Sequence, residues 1–231
     1  MDREILRNRF KDAPWFPVEP IYAVVGGAGG IGSWLTLLLA RAGIDVIVFD
    51  YDSIESHNIG GQLYGIDHIG RPKVLALEEI VFNFSEVNIS ALEEKFTVDS
   101  MGHQFMFAAF DNMEARKSMF ENWMNNYVTP YRETGKGDMP LLIDGRLLME
   151  QLQIFCITPY TAEAYQRDHL FDDDEVITES CTMKQTSHSA SMIASFMVGF
   201  FTNHLTNLRQ GSAVRQVPYY YEYFIPINLT S

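Results

Sequence analysis

A six-residue turn, Gly27-Ala28-Gly29-Gly30-Ile31-Gly32, stands between the apolar run Ile21 to Val25 and the apolar stretch Trp34 to Ala42. This order predicts a strand, a tight turn and a helix, the opening of a nucleotide-binding βαβ unit. Gly27 permits the bend, Gly29 and Gly30 let backbone amides approach a phosphate, and the following helix aims its positive N-terminal dipole at the same place. A second apolar run, Asp45 to Phe49, predicts another strand and ends on Asp50. That acidic residue lies about 20 residues past the turn, where a carboxylate takes ribose hydroxyls. Up to this point the chain fits a dinucleotide-binding oxidoreductase as well as an ATP enzyme, and a simple strand-to-helix connection is the structural alternative.

The residues after Asp50 separate these readings. The chain continues Asp50-Tyr51-Asp52-Ser53-Ile54-Glu55-Ser56-His57-Asn58-Ile59-Gly60-Gly61-Gln62 and then Ile69-Gly70-Arg71-Pro72-Lys73-Val74. This series resembles the ThiF/MoeB and ubiquitin-activating family of adenylyltransferases. The matching positions are the glycines Gly27, Gly29, Gly30 and Gly32, then Asp50 with Asp52, Asn58 with Gln62, Gly70 with Lys73, and Asp111 with Asn112. They occur in the family's order.

The resemblance implies ATP-dependent adenylation of the C-terminal carboxylate of a small ubiquitin-like or sulfur-carrier protein. It implies that Asp50 holds the ribose and that Asn58 orients the sugar or the α-phosphate. Lys73 would place positive charge on the α-phosphate as the carboxylate attacks. Asp111 would hold Mg²⁺ on the phosphates, a role one carboxylate can fill because Mg²⁺ keeps phosphate and water oxygens as its other ligands. Taken singly, each residue also has a structural reading: strand-end aspartates, a lysine after a helix-starting proline, and a helix cap at Asp111-Asn112.

One position departs from the pattern. The family's phosphate-gripping arginine falls on Gly61, which carries no guanidinium. Arg71, Arg41 and Arg146 are candidate replacements within the chain, Arg146 having pairing with Glu150 as its alternative. Another candidate comes from the segment Leu6 to Phe10, which resembles the family's opening Arg-Tyr-x-Arg-Gln. There the resemblance implies that Arg9 reaches a partner subunit's ATP site in a homodimer. A solvated helical face is the alternative for these N-terminal arginines.

The chain has two cysteines, Cys156 and Cys181, so a paired CxxC zinc site cannot be built and no zinc is expected. Cys156 lies in the apolar run Leu152 to Ile157 and reads as a core thiol. Cys181 follows an acidic loop and precedes a predicted long helix. Relatives that pass their substrate to a thiol place a cysteine there, and Lys184 and the helix start would favour its thiolate. Others keep a cysteine at this place and only adenylate.

At 231 residues with 47% hydrophobic content, the chain can bury a substantial core. Its net charge of −13 argues against non-specific nucleic-acid binding and suits a basic carrier. Met192 to Phe201 is too short to span a bilayer, and Met1 to Lys11 is not a signal segment, so a cytoplasmic location is expected. The run Asp172-Asp173-Asp174-Glu175 reads as a solvated loop or a carrier-docking rim.

The predicted fold is α/β: a Rossmann-like, mostly parallel sheet flanked by helices, with an antiparallel C-terminal half. Residues 1–20 are expected to form an N-terminal helical segment. Residues 21–231 would be one adenylation domain, its nucleotide half at about 21–150 and its carrier and crossover half at about 151–231. Helices are expected over Lys73 to Asn83, Met113 to Tyr127 and Thr186 to Leu208, and strands over Phe105 to Phe110, Leu141 to Asp144 and Gln151 to Ile157. The aromatic run Tyr219 to Phe224 reads as a core or dimer strand, with a partner-binding strand as the alternative. A non-catalytic binding module of the same fold and an NAD-dependent oxidoreductase are the competing functional classes.

Overall fold

The computed structural model describes residues 9–16, 19–148, 150–171 and 185–225. Among these residues seven strands form one sheet: β1 (Tyr22–Gly26), β2 (Asp45–Phe49), β3 (Ser90–Leu92), β4 (Phe105–Ala108), β5 (Leu141–Leu148), β6 (Gln151–Ile157) and β7 (Tyr220–Phe224). The spatial order is β3-β2-β1-β4-β5-β6-β7. β1 to β5 run parallel, whereas β6 and β7 are added antiparallel. The parallel half and the antiparallel half both lie where the sequence pattern puts them.

The parallel strands are nearly continuous apolar runs because helices cover both of their faces. On one face Val25, Val48, Phe107 and Ile143 pack under α1 (Gly30–Arg41), α2 (Lys73–Ser85) and the long α6 (Ser187–Gln210). On the other, Val24, Phe49, Met106 and Leu142 pack under α3 (Met113–Trp123) and α5 (Ala162–His169). Between them α4 (Thr129–Thr134) continues from α3 through a π-helical stretch, Met124–Val128. Pro130 follows directly on this wider stretch, where the continuous helix accommodates a residue that has no N–H to give.

The N-terminal segment is tied to the body. Phe10, Trp15 and Phe16 form a ring cluster, and Arg209 at the end of α6 donates to the carbonyls of Pro14 (3.3 Å) and Phe16. At the far edge, β7 pairs with β6 alone among the described residues. Tyr221 and Tyr223 pack inward, while Tyr220 and Phe224 are exposed. Among the described residues no helix is long and apolar enough to cross a membrane.

The strand order reverses between the parallel neighbours β1 and β4, since β2 and β3 are laid to one side of β1 and β4 and β5 to the other. Such a switch point opens a crevice at the carboxyl ends of the strands. The register puts the rims of the crevice level: Phe49, Gly26, Ala108, Asp144 and Phe155 form one row across the sheet. The residues after that row, Gly27, Asp50, Ala109 to Asp111 and Gly145-Arg146, therefore gather at one end of the molecule.

Candidate active site

A cleft of about 1130 Å³ occupies this end. Gly27, Gly29 and Gly30 line it beside Asp50, Asp52, Asn58, Gln62 and Lys73 from one wall, and Asp111 and Asn112 from the other. Of the residues singled out from the sequence, Gly32, Gly70, Arg9, Arg41, Arg71 and Cys156 do not line it, and Cys181 lies outside the described residues.

The glycines divide the work of the turn. Gly27 has φ +93°, and a Cβ there would sit 2.8 Å from the Ala109 carbonyl oxygen. Gly32 is buried, and any Cβ would collide with the Gly27 carbonyl, so its role is close packing of α1 on the turn. Around Gly29 there is open space, and it is this part of the turn that a ligand can approach. The turn's backbone is held from outside: Tyr64 donates to the Ala28 carbonyl at 2.6 Å. Burial, with the charge of Asp50 adding, pushes the Tyr64 phenol well above its ordinary range, so it stays a donor.

Asp50 fastens β2 to the turn. One carboxylate oxygen accepts from the Ala28 amide at 2.7 Å and the other from the Asp52 amide at 2.8 Å. Desolvation raises its pKa, and the nearby Lys73 charge and these two amides pull it back. Lys73 is 7% exposed despite its charge. Its Nζ lies 2.8 Å from Asp52 Oδ2, and its backbone N–H donates to the Asp52 carbonyl at 2.9 Å. The Pro72 to Lys73 helix start is thus sewn antiparallel to the segment after β2, with a bridge between Ser53 and Pro72. This places an ammonium group at the cleft wall.

Asn58 closes a 3₁₀ turn by accepting the Glu55 amide at 2.8 Å, while Gln62 Oε1 is buried without a partner among the described residues. Opposite, Asn112 caps α3 by accepting the Ala115 amide at 2.8 Å, and its Nδ2 donates to Asp111 Oδ1 at 3.0 Å. The cap reading of Asn112 is therefore correct, while Asp111 stands exposed at the cleft mouth.

The candidate arginines fall in different places. Arg71 pairs with Glu79 at 2.7 Å, and Arg41 donates to the Phe84 carbonyl at 2.9 Å; neither lines the cleft. Arg9 is exposed. Arg146 does line the cleft, but its partner is Asp144 at 2.7 Å rather than Glu150. Asp144 is fully buried and also binds Arg116, while Tyr165 donates to it at 2.8 Å. Asp144 and Arg146 stand two residues apart on β5, but Arg116 joins them from α3, and no local spacing in the sequence shows that meeting.

Cys156 faces the core from β6, and burial pushes its thiol up to about 12, which leaves it protonated and unreactive.

These features define an α/β protein of the Rossmann-like class with its cleft at the switch point of the sheet. The ThiF family profile matches residues 18–225. The chain belongs to the ThiF family.

Its curated relatives include the ubiquitin-like modifier-activating enzyme 5 of Dictyostelium discoideum, 27% identical over 105 residues, which are 45% of this chain and 25% of the relative. They also include the tRNA threonylcarbamoyladenosine dehydratase of Escherichia coli, 25% identical over 122 residues, 49% of this chain and 46% of the relative. The match thus spans less than half of either relative's length. The same fold is found in Escherichia coli MccB crystallised with ATP, with a TM-score of 0.59, 16% identity, and 90% of this chain and 60% of that one covered. It is found again in the Escherichia coli dehydratase TcdA, with a TM-score of 0.59, 16% identity, and 92% and 98% covered.

Proposed function

We propose that this chain is an ATP-dependent adenylyltransferase that activates the C-terminal carboxylate of a small ubiquitin-like or sulfur-carrier protein. The observation that carries the reading is the meeting, in one cleft, of the glycine turn, Asp50, Asn58, Lys73 and Asp111. These residues are scattered from 27 to 111 in sequence, and a shared nucleotide accounts for their meeting at the switch point of the sheet.

In this reading the turn and Asp50 hold the nucleotide, and Asn58 orients it. Lys73 meets the negative charge that grows on the α-phosphate as a carboxylate oxygen attacks and pyrophosphate leaves. The donor set suits Mg²⁺: Asp111 offers one hard carboxylate at the cleft mouth, with the remaining ligands left to phosphate and water. When bound, the ion would neutralise phosphate charge. Arg9 would act across a homodimer, and the cytoplasm is the proposed location.

Of the two kinds of substrate in the relatives' names, a modifier protein fits this chain better than a tRNA. A net charge of −13 repels a polyanion. The second reading is a binding module that holds nucleotide or carrier without turnover. Gly61 favours it, because the position supplies no cation. Calorimetry with ATP and Mg²⁺, followed by an assay for pyrophosphate release in the presence of ubiquitin-like proteins ending in Gly-Gly, separates the two. Binding with release supports the adenylyltransferase, binding without release supports the module, and no binding contradicts both.

A further inference from the structure

The residue that leads into α6 rests on the glycine turn. Gln185 lines the cleft, and a Cβ added to Gly30 would collide with its side-chain amide. The amide is therefore seated directly on the turn's backbone. Its Nε2 is buried and has no hydrogen-bond partner among the described residues.

Local backbone contacts fix it there. Ser187 donates its N–H to the Gly60 carbonyl at 3.2 Å. A Cβ on Gly61 would stand 2.7 Å from the Gln185 carbonyl oxygen, too close for any real side chain. The glycines at 60 and 61 thus let the α6 entrance close over the turn, and what position 61 gives up is replaced in space by Gln185.

A buried donor with no acceptor is a standing cost that native structures avoid unless something else supplies the acceptor. The cations around the cleft are already engaged. Lys73 is on Asp52, Lys95 lies over the Tyr51 ring with 4.8 Å to its centroid, and Arg146 is on Asp144. A polyphosphate at Gly29 therefore shares Lys73 with Asp52, while Gln185 Nε2 is a donor with no partner among the described residues.

We propose that Gln185 is a phosphate ligand: its Nε2 donates to a non-bridging oxygen of the nucleotide's polyphosphate at the glycine turn, making the contact that position 61 does not. The assignment rests on the reading of the cleft as an ATP site. Titration calorimetry with ATP and with adenosine, on the wild-type chain and on Gln185→Leu and Gln185→Glu, tests it. Leucine keeps the bulk of the side chain and removes both donors, and glutamate turns an acceptor charge towards the phosphates.

The expected result is a loss of about tenfold in ATP affinity for Gln185→Leu, a larger loss for Gln185→Glu, and unchanged adenosine affinity in both. Unchanged ATP affinity overturns the proposal, as does tighter ATP binding, which would mark the side chain as a plug. Equal losses for ATP and adenosine overturn it too, since they indicate a structural role. If the wild-type chain binds neither compound, the ATP-site reading itself has failed, and the assignment falls with it.

Discussion

The carbonyl oxygen of Gln185 lies 2.7 Å from where a Cβ would stand on Gly61. Glycine at 61 is therefore a packing requirement of this chain, and the absence of an arginine there cannot be repaired by substitution. Gly61→Arg should lower the unfolding free energy by about 1–3 kcal/mol, the usual result of forcing volume into a filled site. It should also fail to tighten ATP binding. A variant with unchanged melting temperature and stronger ATP binding would show that the contact yields easily and that the position remains open to a phosphate-binding side chain.

Lys73 and Asp111 both line the cleft. Lys73→Ala and Asp111→Ala should each reduce pyrophosphate exchange by about a hundredfold or more, the scale on which a preorganised electrostatic contact acts. Cys181→Ala should leave exchange unchanged, because a thiol would act only after the adenylate has formed. Loss of exchange in the cysteine variant would contradict that order of events.

Asp144 lies fully buried between Arg116 and Arg146. Removing the carboxylate strands two guanidinium groups, so Asp144→Ala should cost about 3–5 kcal/mol in urea denaturation. Asp144→Leu combined with Arg116→Met should recover part of that loss by removing a charge along with its partner. A cost below about 1 kcal/mol for the single variant would mean that water reaches the triad.

His204 on α6 donates through Nε2 to the Met139 carbonyl at 2.9 Å. Burial holds its pKa below the ordinary 6.5, against smaller upward pulls from that hydrogen bond and from Asp138. The unfolded chain then binds a proton that the folded chain refuses. Its contribution to stability is complete above about pH 6.5 and is lost as pH falls through the folded-state value. Denaturation at about pH 7.5 and about pH 5.5 should show the drop, and His204→Gln should make it smaller. An identical drop in the variant would assign the pH dependence to other groups.

The sequence carried the fold and most of one cleft wall because those signals are local. The turn at 27–32, Asp50 after β2 and Lys73 after Pro72 each announce themselves within a few residues. Gln185 and Tyr64 reach the turn from elsewhere in the chain, and the Asp144 cluster forms only when β5 lies beside β4; pairing across space leaves no local pattern. Helix α5 leaves no such signal for a different reason. Only Ala162 and Tyr165 of its eight residues are buried, so it lacks an apolar stripe. Nor did the spacing of the apolar residues in Met113 to Tyr127 show that the helix widens into a π stretch after Trp123.

ATP-pyrophosphate exchange tests the central claim most directly, because it requires a reversible adenylate and nothing later in the pathway. With Mg²⁺ and a panel of ubiquitin-like proteins ending in Gly-Gly, label from pyrophosphate should enter ATP with at least one carrier. Blocking the terminal carboxylate of that carrier should stop it. Absence of exchange with every member of the panel, together with absence of ATP binding by calorimetry, would contradict the assignment.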